Sequence, residues 1–337
     1  MIWRALFVVL LAAAFLVGGL WTDYRRFLET PIGHPLGLQE SPTVFEVPRG
    51  ANLRQVAQGL TGLGILKQPY YLLVLAIQRG DQGRLKAGEY ELIQGMRPVD
   101  LLERLTSGRV IQYPITLVEG WTFRQAVAAI AADPRLGGDL AGKSDAELME
   151  ALGRPGEHPE GRLFPDTYSF PSRISGLDVL RRAFERMDQV LAQEWEGRDT
   201  GLPIATPYEA LILASIIEKE TAVAAERPAI GGVFVRRLQK GMRLQTDPTV
   251  IYGLGERFDG NLRRADLRES NPYNTYVIDG LPPTPIALPG REAIRAALRP
   301  EAGESLYFVA RGDGTHAFST TLEEHNAAVR QFQLGKP

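Results

Sequence analysis

Cysteine is absent from the 337 residues of this chain, which excludes disulfides, a thiol nucleophile and any cysteine-ligated metal centre. It suits an oxidising compartment without requiring one. Histidine is scarce: His34, His158, His316 and His325 are scattered and form no HExxH pair, so the helix of a zinc hydrolase is not present and neither a metal nor a cofactor is expected. An excess of either charge is missing as well. The 38 basic and 40 acidic side chains leave a net charge of -2 and a pI near 6.2, with no basic stripe interleaved with aromatics, so nucleic acid is not an expected partner.

One long uncharged run stands out, ALFVVLLAAAFLVGGLW at residues 5–21. As a helix it would span about 25 Å, close to the hydrocarbon thickness of a bilayer, with Ile2 and Trp3 adding length. No small-residue cleavage site with a polar flank follows it, so a retained single-pass anchor over residues 1–23 is expected rather than a cleaved signal peptide. Arg25 and Arg26 on the far side roughly balance Arg4 and the amino terminus, and charge therefore does not set the orientation. Residues 24–42, with Pro31, Gly33, Pro35, Gly37 and Pro42, read as a linker.

With 44% hydrophobic and 23% charged residues, the remainder has an ordinary globular composition and the length for two domains of α+β class. Residues 43–108 read as a small unit of strand, helix, helix, strand and a short closing helix: TVFEV, the Leu53–Leu60 stripe, PYYLLVLAIQ, GEYEL and Val99–Thr106. Residues 109–337 read as the larger unit. It opens with the strand VIQYPITLVEG and a helix from Thr122 to Ala132, and continues to long helices at about 177–195 and 228–240, the latter stopped by Gly241. A β-hairpin around Asp313 and Gly314 and a helix from Leu322 to Phe332 close it.

Residues 206–221, TPYEALILASIIEKET, organise the rest. Thr206 can cap a helix, Pro207 suits its first position, and Glu209 completes a capping box. At 100° per residue Glu218 shares a stripe with Leu211, Ala214, Ser215 and Ala222, and Ile212, Leu213, Ile216 and Ile217 cover the other sides. A helix apolar nearly all round is buried, and small residues beside an inward carboxylate leave room for a ligand. Desolvation there would raise the Glu218 pKa, as a general acid requires. Periodicity alone equally allows Glu218, Lys219 and Glu220 to mark the point where the helix meets water.

Three further segments carry polar and aromatic groups on loops. PEGRLFPDTYSF at 159–170 brings Glu160 among Phe164, Tyr168 and Phe170, a mixture that suits a sugar cleft and equally a buried strand with polar ends. LQTDPTVIYGLG places Gln245, Thr246 and Asp247 in a turn, with Tyr252 one helical turn later. NPYNTYVIDGLPPTPIALPG at 271–290 holds Asn274 and Tyr276 in a stretch with Pro272, Pro282, Pro283, Pro285 and Pro289, too proline-rich for regular structure and long enough to be functional. Ser215, Gln245, Thr246, Asp247, Tyr252, Asn274, Tyr276 and Glu160 are the polar and aromatic candidates for lining a binding cleft.

EGRLFPDTYSF, LASIIEKET, LQTDPTVIYGLG, NPYNTYVIDGLPPTPIALPG and LYFVARGDGTHAFSTTLEEHN, in this order, resemble the signature of the YceG-like endolytic murein transglycosylases over essentially all of 43–333. The family pattern commonly has Ser before PYNTY, where this chain has Asn271 preceded by Ser270. The small unit likewise resembles a LysM-like glycan-binding fold, with Ala51 where such modules carry Ser or Thr. The resemblance implies Glu218 as catalytic acid and a catalytic part outside the bacterial inner membrane. It implies nascent peptidoglycan strands as substrate and glycan-polymerising synthases as partners. The implied reaction cleaves the β-1,4 bond between N-acetylmuramic acid and N-acetylglucosamine and leaves a 1,6-anhydromuramyl end. A hydrolytic muramidase would instead need a second carboxylate, such as Asp247, Glu160 or Glu220. A non-catalytic peptidoglycan-binding scaffold is the alternative of another class.

Overall fold

The computed structural model describes residues 2–33, 43–93 and 95–335. They fall into two compact units, residues 1–113 with 170–172, and residues 114–169 with 173–337. The first unit begins with α1 (Ile2–Glu29), an unbroken helix that is long and apolar enough to cross a membrane and whose apolar stretch is exposed among the described residues. It runs beyond residue 23 into the stretch assigned by composition to a linker, because no proline interrupts it before Pro31. The next residues are docked as well: Ile32 is buried, its N–H donates to the Met96 carbonyl at 2.8 Å, and the Gly33 N–H donates to Ile65 at 2.9 Å. Residues 34–42, the rest of the expected linker, lie outside the described residues.

The small unit follows the expected order of elements, β1 (Thr43–Val47), α2 (Leu53–Gly62), α3 (Pro69–Arg79), β2 (Gly88–Leu92) and α4 (Pro98–Ser107). β1 and β2 pair antiparallel, with Thr43 opposite Leu92 and Phe45 opposite Tyr90. That register turns Phe45, Val47 and Tyr90 inward against Leu60, Leu72, Leu101 and Leu105. Tyr90 can be fully buried because its hydroxyl donates to the Lys86 and Leu105 carbonyls at 2.7 and 3.2 Å. Asn52 starts α2 by exchanging hydrogen bonds with Gln55.

The second unit contains all but the first residue of β3 (Tyr113–Thr116), α5 (Phe123–Ala131), α6 (Asp145–Ala151), all but the last residue of β4 (Thr167–Phe170), α7 (Gly176–Glu196), α8 (Pro207–Glu220), α9 (Arg227–Gln239), α10 (Asp247–Leu254), α11 (Arg291–Leu298), β5 (Tyr307–Ala310), β6 (His316–Ser319) and α12 (Leu322–Phe332). Its sheets are two-stranded: β3 with β4, and β5 with β6, the latter in a hairpin that sets Tyr307 opposite Ser319. The mixed helix and strand composition matches the expected α+β class. The short helices α6, α10 and α11 were not anticipated; α10 takes up residues 247–254, read from sequence as a loop, because Pro248 suits the first turn of a helix.

α8 is the core of this unit. Every residue from Ala210 to Glu218 is buried, and α7, α9 and α11 pack around it in one continuous apolar cluster. The packing is close: a Cβ on Gly231 of α9 would stand 2.4 Å from the Ala296 carbonyl of α11, so only glycine allows that approach. Residues 271–290, between α10 and α11, hold no helix or strand, as their proline content requires.

Candidate active site

α8 delivers Glu218 from a rigid start. Thr206 accepts from the Glu209 N–H at 3.2 Å, while the Glu209 carboxylate reaches the Ala205 N–H rather than that of Thr206. The reciprocal half of the expected capping box is therefore displaced outward by one residue. Glu209 still quenches a free amide at the positive end of the helix dipole.

At the other end, the Glu218 side chain is 4% exposed. Its Oε1 accepts from Arg227 Nη2 at 2.7 Å, and its Oε2 from the Gly290 N–H at 2.9 Å. The same Arg227 nitrogen donates to Glu119 Oε2 at 3.1 Å, so one guanidinium group bridges two carboxylates. Burial pushes the Glu218 carboxyl up; the Gly290 amide and Arg227 oppose this, Glu119 reinforces it, and the net direction is upward. Gly290, which caps α11, is placed so that a Cβ would fall 2.0 Å from a Glu119 carboxylate oxygen. Glu119, Arg227 and Gly290 were not singled out from sequence, because each lies at a loop or helix end where spacing carries no signal.

The small residues on the Glu218 stripe do not face an open space. Ser215 is fully buried; its hydroxyl donates to the Ile212 carbonyl at 2.7 Å and accepts from the Ile286 N–H at 2.9 Å. The room left by the small stripe is thus taken up by the proline-rich segment, which is how Gly290 reaches Glu218.

Four of the other candidates gather around Glu220, which lies 200° round the helix from Glu218. Thr246 donates its hydroxyl to Glu220 Oε1, and Tyr276 donates to Asp247 Oδ1 at 2.6 Å. Gln245 holds a left-handed backbone conformation at φ 51° that is uncommon outside glycine, secured by its N–H on the Thr275 carbonyl at 3.1 Å. These groups, with Tyr307 and His316, line an open cavity of about 490 Å³. Burial raises Glu220 to about 6, opposed by the Thr246 hydroxyl and reinforced by Asp247.

Glu160 and Tyr252 form a separate group. Glu160 Oε1 accepts from the N–H groups of Phe123 and Gly161 at 2.8 and 3.2 Å, and Oε2 from the Tyr252 hydroxyl at 3.1 Å. Burial raises this carboxyl to about 7 despite those bonds. Asn274 is 1% exposed; its amide donates to the Asp266 and Glu269 carbonyls and its oxygen accepts from the Tyr276 N–H. It shapes the loop that presents Tyr276. Among the described residues no group of three His, Cys, Asp or Glu has metal-binding geometry.

A buried carboxyl on a core helix, held by a cation and a backbone amide, with a second raised carboxyl, Glu220, lining an open polar cavity from the same helix, is the arrangement of an acid-dependent enzyme acting on a polar substrate. The YceG-like family matches residues 45–331, and the chain belongs to that family. It is 31% identical over 339 residues to an endolytic murein transglycosylase of Bacillus subtilis, covering 95% of this chain and 92% of that protein. It is 27% identical over 361 residues to an endolytic murein transglycosylase of Streptococcus pneumoniae, covering 96% of this chain and 64% of that one. A crystal structure of a yceG-like protein from Listeria monocytogenes superposes with a TM-score of 0.55 at 30% identity, covering 86% of this chain and 99% of that one.

Proposed function

We propose that this chain is a membrane-anchored endolytic lytic transglycosylase. It cleaves the β-1,4 bond between N-acetylmuramic acid and N-acetylglucosamine in nascent peptidoglycan and leaves 1,6-anhydromuramyl ends. The observation that carries the catalytic assignment is the Glu218 carboxyl, buried, raised in pKa and held at both oxygens. Protonated Glu218 donates to the glycosidic oxygen, positive charge develops at C1, and the resulting carboxylate takes the proton of the C6 hydroxyl as that oxygen attacks C1. No water is consumed, so one carboxyl serves as acid and then as base. Arg227 and the Gly290 amide steady the carboxylate in the interval.

In this reading Gln245, Thr246, Asp247 and Tyr276 contact the glycan along the cavity beside Glu220, and Ser215, Asn274, Tyr252 and Glu160 hold the frame. α1 anchors the chain in the bacterial inner membrane with both units on the extracytoplasmic side. The small unit is LysM-like and engages glycan, and glycan-polymerising synthases are the partners whose strands are cut.

Glu119 favours a second reading, hydrolysis, because its carboxylate shares Arg227 with Glu218 and could direct a water. Digestion of purified glycan strands and mass spectrometry of the products decides between the two. Anhydro ends are expected, and ends heavier by one water overturn the transglycosylase reading. Glu218→Gln keeps the shape and should lower the rate by about 10²–10⁴; undiminished cleavage by this variant removes Glu218 from the mechanism.

A further inference from the structure

One face of the first unit carries apolar surface and unpaired charge that glycan cleavage does not use. On α3, Tyr70, Val74 and Ile77 lie at i, i+4 and i+7 on one stripe and are 52%, 39% and 61% exposed. The opposite face, with Tyr71, Leu72, Leu75 and Ala76, is buried. α3 is fastened to α1 just beyond its apolar stretch: the Tyr24 hydroxyl donates to Gln78, and the rings of Tyr24 and Phe27 each lie 5.5 Å from that of Tyr71. Trp21, exposed and one turn earlier, packs against Tyr24 at 6.3 Å, an aromatic pair of the kind that marks a membrane–water boundary. Tyr24 stands only about 4.5 Å of helix rise beyond Trp21.

Beside the stripe is a cavity of about 360 Å³ whose lining includes Asp23, Arg26, Phe27, Thr30, Lys67 and Gln68. Gln68 directly precedes α3, so cavity and stripe adjoin. Among the described residues neither Arg26 nor Lys67 forms an ion pair, and Asp23 is the one acid of the lining, which leaves a net positive charge.

We propose that this face is a lipid-binding surface: the α3 stripe enters the headgroup layer of the leaflet from which α1 emerges, and the adjoining cavity takes the phosphate of a lipid headgroup against Arg26 and Lys67. It rests on the reading of α1 as a retained anchor. A bilayer is the occupant because the helix that carries the stripe is fastened through Tyr71 and Gln78 to Tyr24, one turn beyond the boundary aromatic Trp21, which holds α3 near the 5–10 Å depth to which interfacial apolar faces sink. Three side chains and a cation pair fall far short of the roughly 800 Å² per partner of a stable protein interface. Beside a spanning helix no large area is required, because the tether already holds the face at the membrane.

The absence of cysteine makes the test clean. Val74→Cys, Ile77→Cys and Leu10→Cys, each nitroxide-labelled in the full chain, are placed one molecule per phospholipid nanodisc and probed with oxygen and a water-soluble nickel chelate. Labels at 74 and 77 should collide with oxygen several-fold more often, relative to nickel, than the free label in buffer does. Nickel-accessible labels at 74 and 77 with a lipid-like label at 10 overturn the proposal, whereas a water-exposed or missing label at 10 overturns the anchor reading. Native mass spectrometry from micelles doped with phospholipid tests the cavity: Arg26→Ala with Lys67→Ala should lose one retained lipid, and unchanged retention overturns the headgroup site.

Discussion

On the proton of Glu218 three neighbours act with different signs. Burial and the Glu119 charge hold it on the carboxyl, while Arg227 and the Gly290 amide favour its release. A general acid works while protonated, so activity should fall as pH rises through the pKa of Glu218. Arg227→Met removes a cation and should move that basic limb to higher pH while lowering the rate. Glu119→Gln removes an anion and should move the limb to lower pH. Rates of anhydro-product release across pH give both shifts, and shifts of one sign would show that the pair does not tune this carboxyl. Gly290→Ala belongs with Glu119→Gln. Its Cβ would meet the flexible, half-exposed end of Glu119, which can swing aside, so the stability loss should stay below about 1 kcal/mol while the pH profile moves as it does for Glu119→Gln.

Among the helices the same substitution has another outcome. A Cβ at Gly231 would meet not a mobile side chain but the Ala296 carbonyl, with the Ile217 side chain of α8 also in contact. α9, α11 and α8 must then part, and Gly231→Ala should cost about 1–3 kcal/mol, read as a lower urea midpoint. An unchanged midpoint would mean that the seam between α9 and α11 is looser than described. The contrast also shows how much the sequence could disclose. α8 and α12 were legible from end to end because Thr206 with Pro207, and Thr321 with Glu324, are local start signals followed by regular periodicity. The placing of Glu218 on a buried helix was legible for the same reason. Its partners were not: Arg227 sits at the first position of α9 and Gly290 just before α11, and only tertiary packing brings them to Glu218. The loop residues were recognisable as a polar set, but helical periodicity could not reveal that Thr246, Asp247 and Tyr276 stand on the side of Glu220.

Across the whole molecule, buried carboxyls of opposite character set the response of stability to pH. Glu194 on α7 is 3% exposed; burial raises its carboxyl, but hydrogen bonds from Arg291 and Arg295 and the charge of Arg299 outweigh that and leave it lowered. Its contribution is therefore present above the usual glutamate range and is lost as pH falls through the depressed value. Glu160 behaves in the opposite sense, with its carboxyl raised from 4.5 to about 7. The folded chain keeps a proton that the unfolded chain releases, so stability falls as pH rises through that window and levels off above it. The shift is worth at most about 3 kcal/mol, and Glu220, raised to about 6, adds to the same slope. The urea midpoint of the full chain in detergent should therefore be higher at pH 5 than at pH 8. In Glu160→Gln the amide oxygen can still accept from the Phe123 N–H and the amide nitrogen can donate to Tyr252, so the fold should survive and most of the slope between the two pH values should vanish. A slope unchanged by this substitution would move the source of the pH dependence away from the Glu160–Tyr252 link and onto Glu220, where Glu220→Gln gives the matching measurement.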